Sequence, residues 1–422
     1  MPTIPSQPSE TNSSVTMIRI ISDADITTHI IPRLTIASLL RSQAVAFLSL
    51  VPPSCSCSCS CSCSCTCSWS PCASELAQCP SRISLSTRDH TQLFMPARSS
   101  SLQGGGSVIK CVSVPKPPSS GIAGVNLLFS DITGKVTHVI NSTCLTAIRT
   151  AAGSLLSSVL ALGVVKDKVK RIVVFGDGAQ SIFHLWLHLR YFPSIDNVVV
   201  AVASHRELTS DQLKEKRSTF LNHLSSLTTS QLPNLTFINA KTNHTQVQQQ
   251  VDQAQLILTC TPSTQPLFNN PTTSSGKQGE KMHICAVGSY KPSMCELPPD
   301  LIRQVSNEGR LLVDSVEACV EEAGCLLQAL EVKELKASMV EIATLLPSTE
   351  AGKGGKEQEW LKQLEKRAEM WNKNQDQRQS QSESESGRIS VFKSVGIGLQ
   401  DVEMTKLVVA VAGDGVGCVV PF

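Results

Sequence analysis

The chain has 422 residues, 41% of them apolar, which is enough for two domains with a sizeable core. A formal net charge of +2 leaves no basic field to neutralise phosphates, so a dedicated nucleic-acid binder is excluded. The apolar stretch from Leu34 to Val51 is broken by Arg41, Ser42 and Gln43, short of the ~18 uninterrupted apolar residues of a membrane span; the expectation is a soluble, cytoplasmic protein with no membrane partner.

Residues 1–16 are rich in Ser, Thr and Pro and read as disordered. Residues 17–165 read as a first domain: a short strand from Met17, a helix cap at Ser22 or Asp23 with one or two helices, then short β patterns from Ser81 to Ile140 that predict an antiparallel or mixed sheet. Of the 17 cysteines, nine lie between Cys55 and Cys79, and seven of these alternate strictly with Ser or Thr. Strict alternation is a low-complexity insertion (52–79), not a set of paired zinc ligands, so no metal is expected. A helix is predicted from Leu145 to Leu162. Over 166–330 the rhythm changes to apolar strands alternating with helices (Ala179–Arg190, Ser210–Leu227), which predicts an α/β, doubly wound parallel sheet of Rossmann type. A connecting segment (331–347) leads to a charged, Gln/Ser-rich insertion (348–387), read as an exposed helix followed by a linker. The chain closes with a strand or turn leading into a helix.

"RIVVFGDGAQS" sets Gly176-x-Gly178-x-x-Ser181 directly after a strand and at the opening of a helix. Gly176 permits the tight turn, Gly178 lets a pyrophosphate approach the backbone, and the small Ser181 lets the helix pack closely. Ala179 and Gln180 complete a helix N-terminus that favours phosphate. The second strand ends in Ser204, His205 and Arg206 where an NAD site usually has an acid. Arg206 suits a phosphorylated ribose, so NADP(H) is favoured over NAD(H).

"LTAIRTAA", "GDGAQS", "TPSTQPLF", "AVGSYKPSMCEL", "VDSVEAC", "EEAGCLL" and "FKSVGIGLQD" occur in this order. Together they resemble the ornithine cyclodeaminase/mu-crystallin family, over about Ile18 to Met404. The resemblance implies a homodimer whose α+β substrate and dimerisation domain is built from both chain ends, with residues 388–422 returning to it. It implies that Arg82, Lys110 and Arg149 clamp a substrate carboxylate and carry the chemistry, as a guanidinium fork and an ammonium can. Arg149 and Thr150 would also meet the cofactor phosphate; Thr261, Val287 and Gly288 would line the nicotinamide side; Ser394 and Val395 would close the pocket. Family cyclodeaminases carry an acid at the position of Tyr290, whereas the mu-crystallin/ketimine-reductase branch lacks it. Tyr290 therefore favours hydride transfer on a small amino or imino acid. The alternatives are proline-forming ornithine cyclodeamination and a non-catalytic NADP(H)-dependent carrier. Glu296 reads as a helix N-terminal acid, Asp314 as a turn or cap residue, and His184 with His188 as surface or groove histidines without a third metal ligand.

Overall fold

The computed structural model describes residues 16–51, 77–100, 105–116, 121–202, 207–228, 230–272, 281–348, 357–380 and 388–422. The alternating Cys/Ser tract, Ser204 and Arg206 lie outside the described residues.

The first sheet runs in the order β16 (Cys418–Pro421), β1 (Met17–Ile21), β7 (Val136–Asn141), β6 (Ala123–Ser130), β5 (Gly106–Pro115), β4 (His90–Ser99) and β2 (Ala77–Gln78), with β3 (Ile83–Ser86) also on β4. It is antiparallel except where β1 pairs with β7. Alternation assigns the faces. Met95, Ala97, Val108, Lys110, Asn126 and Ile140 point inward and are buried. They face a helical layer of α1 (Ile36–Leu48), α2 (Thr143–Leu162) and α9 (Gly398–Ala412).

The second sheet is wholly parallel, as expected of a doubly wound domain. Its order is β10 (Asn234–Asn239), β9 (Asn197–Val202), β8 (Arg171–Phe175), β11 (Leu256–Thr259), β12 (Lys281–Ala286), β15 (Arg388–Lys393), β13 (Leu311–Val313) and β14 (Val340–Glu341). The order reverses between β8 and β11, and the carboxyl ends of such strands open a crevice there. Between the strands run α3 (Ala179–Tyr191), α4 (Ser210–Ser226), α5 (His244–Asp252), α6 (Pro299–Asn307) and α7 (Val316–Glu322).

Three expectations are corrected. The segment from residue 388 does not go straight back to the first domain: β15, all but one of its residues buried, fills the interior of the parallel sheet between β12 and β13, and only then does α9 cross over. The charged stretch is not an exposed helix throughout. In α8 (Glu357–Ser380) the residues Trp360, Leu364, Ala368 and Trp371 form one helical stripe buried against α2, and Asn372 Nδ2 donates to Leu160 O at 2.8 Å. His184 and His188 are not at the surface; both are fully buried on α3. Their four-residue spacing matches serines four apart on α2. Ser154 lies 2.9 Å from His184 Nε2 and Ser158 2.9 Å from His188 Nε2. Each Nδ1 donates to the backbone carbonyl four residues back, so each Nε2 accepts from its serine. The helix α2 is long and apolar enough to cross a membrane, but it is mostly buried here as the central helix of the core.

Candidate active site

The site is assembled where the two sheets meet. On β8's carboxyl end, Gly176 has φ of 108°, in the region that favours glycine, and an added Cβ would stand 3.0 Å from Ser181 Oγ. Gly178 precedes α3, a helix with no side-chain cap, and has open space where a Cβ would point. An uncapped helix N-terminus behind an open glycine turn, at the point where the strand order reverses, fits a dinucleotide pyrophosphate. Gln180 reaches from this loop to Thr146 O on α2, one turn from Arg149 and Thr150. Thr150 is buried and donates its hydroxyl proton to Thr146 O at 2.8 Å.

Across the crevice, a Cβ on Gly288 would stand 2.2 Å from Thr261 O, so only glycine allows these two loops to touch. Glu296 holds that turn and is fully buried. It accepts from Gly288 N (2.8 Å), Ser289 N (2.9 Å), Thr259 Oγ1 (2.7 Å) and Lys393 Nζ (2.8 Å). It is therefore the anchor of the crevice wall and not merely a helix-start acid. Val287, one residue earlier, is half-buried with its N–H on Thr259 O. A cleft of about 880 Å³ opens in front of these loops; Thr261, Lys241, His244 and Tyr290 are among its lining residues.

In the first domain, strand alternation puts Lys110 of β5 inward, 2% exposed. Its Nζ lies 2.9 Å from Asp401 Oδ1, and Arg149 Nε lies 3.3 Å from the same oxygen. Arg149 Nη1 also donates to Gln400 Oε1 at 2.8 Å. Burial, opposed by Asp401 and reinforced by the charges of Arg149 and Arg82, brings the Lys110 ammonium down to about 8. Arg82 donates through Nη2 to Glu322 Oε2 at 2.6 Å and Gly396 O at 3.1 Å. Gly396, with φ of 81°, lies flat against Arg149, whose Nη1 would be 2.6 Å from a Cβ there.

Asp314 fixes that segment. Its Oδ2 accepts from Ser394 Oγ (2.7 Å), Val395 N (3.0 Å) and Gly396 N (2.8 Å). Ser394 is thereby committed to Asp314, and Gly396, Ile397 and Gly398, with Arg82, line the cavity of about 250 Å³ beside it. Asp314 is an organiser of the pocket wall, a role larger than the turn or cap read from the sequence. Tyr290 is half-buried; burial pushes its phenol up and Arg82 pulls it down, which puts Arg82 within electrostatic reach.

Sequence reasoning thus missed Asp401, Gln400, Glu322 and the roles of Glu296 and Asp314. The acids at 296, 314 and 401 sit inside otherwise apolar runs ("MCELPP", "LLVDSV", "IGLQDV"), where a lone carboxylate needs buried partners. That was the available signal. Among the described residues no cluster suited to a metal ion is found.

Comparison with known proteins agrees with this fold. Residues 69–415 match the model of the ornithine cyclodeaminase/mu-crystallin family. A Delta(1)-pyrroline-2-carboxylate reductase of Bacillus thuringiensis subsp. konkukian is 25% identical over 75% of this chain and 80% of its own. Among solved structures, Delta(1)-pyrroline-2-carboxylate reductase of Thermococcus litoralis, in complex with NADH and L-proline, superposes with TM-score 0.62 at 18% identity, covering 95% of this chain and 99% of that one. The iminosuccinate reductase of Paracoccus denitrificans, in complex with NAD+, gives 0.62 at 17% identity over 96% and 100%. The shared fold, the glycine turn at the strand reversal and the match over most of its length make this chain a member of the ornithine cyclodeaminase/mu-crystallin family.

Proposed function

We propose that the chain is an NAD(P)-dependent imine reductase, acting on a small imino acid and, in reverse, on the amino acid. The observation that carries this reading is the grouping of Lys110 and Arg149 on one oxygen of Asp401, with Arg82 and Arg149 both packed against Gly396. The nicotinamide, when bound, supplies the hydride to the substrate Cα. Arg149 holds the carboxylate, with Arg82 beside it on Glu322, and the Lys110 ammonium, brought down to about 8, gives the nitrogen its proton. Tyr290 lines the cleft where a cyclodeaminase of the family would place an acid, which favours reduction over cyclodeamination. The mu-crystallin-like carrier reading has no observation of its own to favour it. NADP(H) preference rests on Arg206 and on Lys241, which lines the cleft from the end of the strand next to β9.

The test is reduction of Δ1-pyrroline-2-carboxylate by NADPH and by NADH, followed by loss of reduced-nicotinamide absorbance. Turnover is expected, with NADPH preferred. Lys110→Met should lower kcat/KM by about 10²–10⁴. It should leave intact the thermal stabilisation by cofactor, about 2.7 kcal/mol at a hundredfold excess over Kd. Cofactor stabilisation with no turnover of any cyclic or open-chain imino acid would overturn the reading.

The same reading includes a homodimer. Opposite the buried face of the first sheet, register pairing lines up Phe94 with Cys111 and Val125, and Pro96 with Ile109, Leu127 and Val139. Ile83 and Leu85 beside them are 61% and 55% exposed. A contiguous apolar sheet face of this kind marks an interface, and a second copy offers the same face about a two-fold axis. Light scattering should give twice the chain mass, and Leu127→Lys should give the monomer with unchanged far-UV circular dichroism. A monomeric wild type would refute this part.

A further inference from the structure

The carboxylate site contains a buried anion that the proposed chemistry does not itself require. Asp401 sits on α9, 1% exposed. Its Oδ1 is shared by Lys110 at 2.9 Å and Arg149 at 3.3 Å, both nearly inaccessible to water. Its Oδ2 is buried and without a hydrogen-bond partner among the described residues. Two cations from different elements, β5 and α2, would repel each other at this separation in a low-dielectric site. Asp401 is what makes their coexistence affordable. The neighbouring Arg82 is already paired with Glu322 at 2.6 Å, and the cavity beside it is rimmed by Glu317 and Glu321. Its net field is not that of a cationic funnel.

We propose, building on the imine-reductase reading, that Asp401 is a positioning residue which locks Lys110 and Arg149 into one rigid cation pair and leaves it a single net positive charge, matched to an imino acid with one carboxylate. One substrate carboxylate neutralises the remaining charge. A second, as in a dicarboxylic imino acid, finds Arg82 already paired with Glu322 and faces Glu317 and Glu321 in the same cavity. Asp401 also keeps Lys110 protonated: the carboxylate raises the ammonium against burial and against the charges of Arg149 and Arg82. These are the charged groups facing Lys110 from α9, α2 and the segment before β3.

The test uses the full-length protein saturated with its reduced cofactor and two non-reducible probes, pyrrole-2-carboxylate and pyrrole-2,5-dicarboxylate, in isothermal titration calorimetry from about pH 6 to about pH 9. The wild type should bind the monocarboxylate at least about tenfold more tightly than the dicarboxylate, with affinity falling above about pH 8 as Lys110 loses its proton. Asp401→Asn should move that fall to lower pH by about one unit or more, and Asp401→Glu should restore it in part. A merely structural aspartate would change affinity equally at every pH. An unchanged pH profile in Asp401→Asn, or equal wild-type affinity for the two probes, overturns the proposal. Should the Asn variant fail to fold, the wild-type probe comparison still decides. Binding of neither probe to cofactor-loaded wild type overturns the imino-acid reading itself. Tight monocarboxylate binding with the wrong pH response overturns only the role of Asp401.

Discussion

Lys393→Met is expected to destabilise the folded protein by about 3–5 kcal/mol, the cost of stranding one partner of a buried ion pair. Lys393 and Glu296 are both fully inaccessible and 2.8 Å apart. Burial alone would push the lysine down, but Glu296 more than reverses this and holds it above the usual lysine range. Without the ammonium, Glu296 keeps only neutral donors, from Thr259, Gly288 and Ser289. Urea titration should show a lower midpoint at unchanged slope. The double variant Lys393→Met/Glu296→Gln should recover part of the loss, because the amide carries no charge and its one oxygen can still accept from Thr259 and Gly288, while its NH2 cannot accept from Ser289. A single variant as stable as wild type would show that water reaches the pair. Since Glu296 anchors the Gly288 turn, the single variant should also bind cofactor more weakly.

The second large effect is acid sensitivity near neutrality. Desolvation lowers His184 to about 3, His188 to about 4 and His283 to about 3, and in the unfolded chain each titrates near the ordinary 6.5. A histidine lowered by folding stays neutral in the native state while the unfolded chain takes up a proton. Stability is therefore full above about pH 6.5 and falls as pH drops toward about 4. At about pH 5 each such group costs about 2 kcal/mol, so three together consume several kcal/mol of a total that is usually 5–15. Melting temperature should be flat from about pH 8 to about pH 7 and fall steeply below about pH 6. A flat profile down to about pH 5 would refute the neutral, serine-bonded state of these rings.

The parallel sheet and its glycine turn were legible because strand burial on both faces and the backbone needs of a phosphate-binding turn leave strong local marks. Lys110 and Arg149 were legible only through resemblance, since an isolated basic residue in an apolar run looks like a solvated strand face until its partner is known. Their partner Asp401 comes from the far end of the chain, 291 residues beyond Lys110, and single-sequence patterns carry no such pairing. The histidines were misread for a related reason: a four-residue spacing advertises a shared helix face but not whether serines or solvent stand opposite. For α8, the 3.6-residue stripe from Trp360 to Trp371 was present, but its charged, Gln-rich surroundings outweighed it. The second domain boundary was misplaced because β15 is joined to its neighbours only by hydrogen bonds to strands more than 70 residues away.

That placement of β15 governs how the protein can be made. A ribosome delivers β8 through β13 well before residue 388 emerges, yet β12 and β13 have no direct partner in each other and must keep a slot open for a strand still unsynthesised. The nucleotide-binding half is thus unable to finish folding during translation, even though nearly all its residues have left the exit tunnel. Its exposed, unpaired edges at that stage invite aggregation. A prematurely terminated chain would lose the middle of a sheet and not a dispensable tail, so truncated products of this gene should be cleared and not accumulate as cofactor-binding fragments.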